Sequence, residues 1–164
     1  MPVETEIENI IEMLLFELTF ADLAIFFLKE PDRYLSDYCK ENAIAPFLRQ
    51  EVLFGLVSHV HKLFDDKTKK GMSLHQLGIR LRSAKFSYSE TFWTEKGRLE
   101  EIYKERIGLF ETIRHQVVAH RSIKPESLDN WTTLISDKLT ADLMLDFRYL
   151  LAVTRKEMFQ RKHG

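Results

Sequence analysis

From Val3 to about Leu28 the apolar residues Ile7, Ile10, Ile11, Leu14, Leu15, Leu18, Ala21, Ile25 and Leu28 recur at intervals of three and four. A strand needs alternation at two, so this stretch is an amphipathic helix with one face to bury. Its glutamates favour the positive end of the helix dipole, and Pro31 stops it. The same spacing returns in Phe47, Leu48, Val52, Leu53, Leu56, Val57, Val60, Leu63 and Phe64, after Pro46 as a first-turn residue, and this second helix closes near Asp65 or Asp66. One helix obliges the chain to supply others for its face to pack on.

The remaining elements follow from caps and breakers. A short helical piece spans 34–41, and the lysine-rich segment 66–72 with Gly71 reads as a polar loop. Ser73 caps a helix bearing Leu74, Leu77, Ile79 and Leu81, whose Arg80, Arg82 and Lys85 form a basic side. From about Thr94 one long helical pattern runs through Leu99, Ile102, Tyr103, Ile107, Phe110, Ile113 and Val117, with Gly108 as a candidate kink or close contact, and it must stop before Pro125. An irregular connection over 125–134 contains Trp131. Ser136 or Thr140 then begins the last helix, with Leu139, Leu143, Leu145, Phe147, Leu150, Leu151, Val153 and Met158 for the core. The expected fold is all-α, an up-and-down helical bundle of four principal helices plus one or two short ones, in a single domain over 1–164.

Composition narrows the setting. Cys39 is the only cysteine, which rules out an internal disulfide and a metal-thiolate cluster and points to a reducing, cytoplasmic location. Glu4, Glu6, Glu8 and Glu12 precede the first basic residue, Lys29, the reverse of a secretory or transit leader, and the apolar run 24–28 is far too short to span a bilayer. His59 and His61 stand two apart, about 200° round a helix, so one metal ion cannot take both. The expectation is no metal, no cofactor and no membrane. The net charge of −1 is unevenly laid out: −6 over 1–50, +1 over 51–77, +4 over 78–125, −4 over 126–147 and +4 over 148–164. A modest anion-binding surface would form if the basic 78–125 segment met the basic tail of Arg148, Arg155, Lys156, Arg161 and Lys162.

The one stretch with the chemistry of a site is 113–122, Ile-Arg-His-Gln-Val-Val-Ala-His-Arg-Ser. It sets Arg114, a fixed cation, five residues before His120, a group that titrates near neutral pH, a pairing suited to a phosphodiester. On an unbroken helix the two stand about 120° apart, on opposite edges of the apolar arc. They cooperate only if the helix ends near Ala119 and His120 swings round, or if two copies of the motif face each other across a two-fold axis that buries Val117 and Val118. A purely structural alternative has Arg114 paired with a carboxylate and His120 at the helix C-terminus, where the dipole favours an imidazolium.

This stretch resembles the HEPN superfamily, whose mark is an Arg, four to six residues and a His, often with a polar residue after the Arg, here His115. Two further blocks resemble its phage abortive-infection (Abi, U-type) branch: 63–67, Leu-Phe-Asp-Asp-Lys, and 73–77, Ser-Leu-His-Gln-Leu, with the lysine-rich loop between them, together with the ending Ala119-His120-Arg121. The likeness covers nearly the whole chain, the terminal helices in pattern only. It implies a HEPN-like bundle and a metal-independent endoribonuclease working as a homodimer in phage defence or as a toxin. His120 would be the general acid/base for attack by the ribose 2′-hydroxyl, Arg114 would hold the phosphate, His115 would orient it, and Arg121 and Lys124 would add RNA-backbone contacts. An antitoxin or regulatory protein is a further partner the resemblance allows. Where toxins silenced by a nucleotidyltransferase carry a Tyr two residues past the His, this chain has Ser122, so that acceptor is missing. Because family members also serve as non-catalytic modules, binding of RNA, a nucleotide or a protein without cleavage is the alternative function.

Overall fold

The computed structural model describes residues 2–42, 44–65, 72–120, 131–133, 135 and 137–163, and within these not the side chains of 31, 32, 38, 40, 117–120 and 161–163. Helix follows helix throughout: α1 (Val3–Lys29), α2 (Pro31–Tyr34), α3 (Asp37–Glu41), α4 (Ile44–Phe64), α5 (Leu74–Ser83), α6 (Ser89–Ile102), α7 (Lys104–His120) and α8 (Lys138–His163). The described residues contain no strand, and the fold is the all-α bundle expected. No helix among them is long and apolar enough to cross a membrane.

The stripe that opens the sequence is the centre of the core. Ile7, Ile11, Leu14, Leu18 and Ala21 are fully buried on α1, and they meet Leu53, Leu56 and Val60 of α4 and Leu143, Phe147 and Leu151 of α8. Burying each large side chain contributes roughly 1.5–3 kcal/mol, so this face alone commits α1 to the middle of the bundle. α4 lies between α1 and α7, while α8 packs on α1 and α6. Phe64 stacks edge-on against Phe147 at 5.0 Å and ties the end of α4 to α8.

Local signals set the boundaries. Ser73 caps α5 as expected, its hydroxyl accepting from the Gln76 amide at 3.3 Å. The last helix, expected to begin at Ser136 or Thr140, begins at Lys138, and Asp137 caps it, its Oδ1 accepting from the Thr140 amide at 3.0 Å; Ser136 lies outside the described residues. A carboxylate between two hydroxyl residues satisfies an orphan amide and the helix dipole together. Residues 131–133, expected to be irregular, are helical.

The long pattern from Thr94 is two helices. The break falls at Tyr103, with φ −102° and ψ 14°, although the Tyr103 amide still donates to Leu99 and the Ile107 amide to Tyr103. Its hydroxyl donates to Asp146 of α8 at 2.7 Å, and burial first, then that bond, pushes its pKa up to about 12. Gly108 is neither kink nor contact, since a Cβ there would meet nothing within 4 Å. The close approach is at Gly78, where a Cβ would stand 2.5 Å from the Trp93 ring, so α5 reaches α6 only because this residue has no side chain.

Several apolar residues assigned to the core face outward: Phe47, Ile79, Ile102, Leu139 and Leu145 are exposed. For Leu145 the cause is periodicity, because the buried arc runs through Leu143, Phe147, Leu150, Leu151, Thr154 and Met158 and leaves 145 on the far side, whereas Leu139 stands at the edge of that arc in the first turn of the helix.

The uneven charge is resolved inside the fold. Arg148 and Arg155 of α8 pair with Asp22 and Glu12 of α1, and Arg80 of α5 pairs with Glu6 at 2.9 Å. These tail arginines therefore serve the acidic first helix and do not join the basic segment around α7. Arg82 pairs with Glu90 at 3.2 Å and lies over Trp93, so the basic side of α5 is likewise compensated.

Candidate functional site

α7 continues through Ala119 to His120, its last residue, so the geometry of an unbroken helix applies to the motif. Six residues along and 100° per step leave Arg114 and His120 about 120° apart and about 9 Å along the axis. Phe110 and Ile113 are fully buried and mark the side of α7 that faces the core. Arg114 is half-buried beside them and His115 is exposed. The His120 side chain and the whole of Arg121 and Lys124 lie outside the described residues.

Arg114 sits on the edge of α7 that faces α4. No carboxylate among the described residues is within ion-pair distance of it, whereas its neighbour His115 holds Glu111 one turn back at 3.9 Å. Both members of that pair are more than half exposed, which leaves little net attraction once water screens it.

The residue that sequence reasoning missed at this edge is His61. It projects from α4, with Nε2 3.9 Å from Asp65, into the field of Arg114, His115 and Glu111. Its pKa is lowered from the ordinary value, by burial first and then by the Arg114 charge; His115 adds to the lowering while Asp65 and Glu111 oppose it. The imidazole is thereby held towards its neutral form, the state that accepts a proton. Only the 200° between His59 and His61 could have hinted at this, by sending the two rings to opposite sides of α4.

His59 goes the other way. Its Nδ1 meets Glu17 of α1, Lys62 reaches the same carboxylate at 3.2 Å, and the Phe20 ring lies 3.9 Å from the imidazole. Glu17 is 5% exposed, the one carboxylate among the buried described residues. A carboxylate holding an imidazole by Nδ1 orients the ring, yet the ring is packed under Phe20, so this is a cross-brace between helices.

A separate cleft of about 180 Å³ opens between α6 and α8, lined by Tyr88, Glu95, Arg98, Asp146 and Tyr149 among others. None of the motif residues belongs to it. Among the described residues no group of three His, Cys, Asp or Glu side chains could hold a metal ion.

No protein-family description, curated protein or solved structure matches this chain.

Proposed function

We propose that the chain is a metal-independent endoribonuclease of the HEPN type, acting in phage defence or as a toxin, with Arg114 and His120 of two copies at one cleft. The observation that carries the reading is the continuity of α7 to His120. With the two residues about 120° apart on one helix, a phosphate reached by both is more readily placed between two helices than on one. In this mechanism a His120 imidazole takes the proton of the ribose 2′-hydroxyl and the 2′-oxygen bonds to phosphorus. The bond from phosphorus to the 5′-oxygen then breaks, and the imidazole of the second copy protonates the leaving oxygen. The ends formed are a 2′,3′-cyclic phosphate and a 5′-hydroxyl. Arg114 holds the charge that grows on the phosphoryl oxygens, His115 orients the phosphate, and Arg121 and Lys124 contact the backbone of the strand.

Purified protein should cut single-stranded RNA in the presence of EDTA. His120→Ala should lower the rate by about 10²–10⁴-fold and Arg114→Ala by about 10²–10³-fold, with the helical circular dichroism unchanged. Equal cutting by wild type and both variants would overturn the assignment. A second reading is a binding module without chemistry, for RNA, a nucleotide or a protein; Glu111 and Asp65 bring negative charge to the Arg114 edge, which within that reading favours a protein partner with basic side chains over a phosphate. It predicts retention of RNA or a partner with no cleavage product between pH 5 and 9.

A further inference from the structure

α1 buries one stripe and exposes another. Opposite the core face, Met13, Phe16, Phe20, Leu23 and Phe27 follow one another at intervals of three and four. Phe16 is 58% and Leu23 64% exposed, Met13 and Phe20 are exposed as well, and Phe27 is half-buried. Surface phenylalanines scattered singly need no explanation, but a second helical seam of this length does. Together with the neighbouring Phe26 these side chains present roughly 400–500 Å² of apolar surface, the size of the largest patch on an ordinary monomer.

We infer that this seam is an isologous interface, on which α1 of a second copy of the chain packs antiparallel about a two-fold axis level with Leu18. Three observations select that occupant. The first is spacing: reversal about residue 18 sets Phe16 against the second copy's Phe20 and Met13 against its Leu23, so the four exposed residues at the centre of the seam meet one another across the axis, while Phe27 falls at its rim opposite Asn9. The second is area, since two such faces cover roughly 800–1,000 Å² of apolar surface, and a modest polar rim brings that into the range of a specific interface. The third is charge. An acidic helix packed on its own copy would repel itself, but Glu12 and Asp22 flanking the seam already hold Arg155 and Arg148, and Glu17 holds His59 and Lys62. A lipid surface does not fit, because a helix that lies on anionic headgroups carries a row of basic residues beside its apolar face, and α1 has none before Lys29. The seam lies across α4 from α7, so this contact is distinct from the pairing of motifs proposed above.

Cysteine pairing in the full-length chain tests both the interface and its register. In a Cys39→Ser background, Met13→Cys and Leu23→Cys variants are mixed, equilibrated and mildly oxidised. The mixture should give a disulfide-linked dimer in high yield, while each variant alone should not, because like positions are offset by about 15 Å along the helix. Phe16→Glu combined with Leu23→Glu should halve the mass found by light scattering and leave the helical signal intact. A mass unchanged by that double variant, or no cross-link in the mixture, would overturn the inference. Cross-linking of each variant with itself would overturn the antiparallel register, and a wild type that is monomeric at tens of micromolar would overturn the interface outright.

Discussion

Helix α4 carries two histidines two residues apart, and the bundle treats them in opposite ways. His59 turns to α1, where the buried carboxylate of Glu17 takes its Nδ1 and Phe20 covers its ring. His61 turns to α7; Asp65, one turn on at the end of its own helix, is 3.9 Å away, and burial first and then the cation of Arg114 work against protonation. One imidazole is locked into a brace between helices, and the other stands in an unbalanced field on the edge that carries the motif. Identical residue types on one helix thus divide into one held by a buried carboxylate and one held towards its neutral form, and the partner helix decides which is which.

The largest effect that would break this contrast is on stability. His59→Ala leaves the Glu17 carboxylate buried with only Lys62 to compensate it, and should destabilise the fold by about 2–3 kcal/mol. For a chain of this size that lowers the unfolding midpoint by about 5–10 °C. A denaturation curve that moves by less than about 0.5 kcal/mol would mean that the brace is ornamental. The paired test is a double-mutant cycle. Glu17 and His59 should couple by more than about 1 kcal/mol, and His61 and Asp65 by less than about 0.5 kcal/mol.

The brace was not legible in the sequence, and the helices were, for the same physical reason. Apolar spacing is a local signal, so α1, α4 and α5 could be placed from neighbouring residues alone, and Ser73 could be assigned its cap. Glu17 and His59 stand 42 positions apart, and each looks like an ordinary polar residue at the edge of its own apolar arc. The break at Tyr103 was hidden as well. The helical hydrogen bonds at that residue persist, and no Pro or Gly marks the spot, so attention falls on Gly108, which touches nothing. At the motif, the sequence supplied the residues and the angle between them. It could not supply His61, because α4 meets α7 only after folding.

A smaller effect is on proton binding. Since the folded pKa of His61 lies below its unfolded value of about 6.5, the unfolded chain binds more protons in the interval between the two. Stability contributed by the neutral ring is therefore full above about pH 6.5 and is lost as the pH falls towards the lowered value. His61→Gln should flatten that slope in the pH dependence of unfolding, while His59→Gln should leave this component in place. Because the Arg114 charge is part of the lowering, Arg114→Met should move the His61 titration upward when the ring proton is followed by NMR. A titration unmoved by Arg114→Met would separate the two residues and remove His61 from the motif's edge.

The smallest effect belongs to His115 and Glu111. They sit one turn apart on the exposed side of α7, at 3.9 Å and both more than half exposed. Such pairs on a helix surface contribute about 0.3–0.5 kcal/mol at most, so a double-mutant cycle here should give a coupling below about 0.5 kcal/mol that fades further in 1 M salt. That weakness means that the His115 ring is not held firmly by its own helix. Coupling above about 1 kcal/mol would make this side of α7 a closed brace like the α1 contact, and the contrast between the two sides of α4 would collapse.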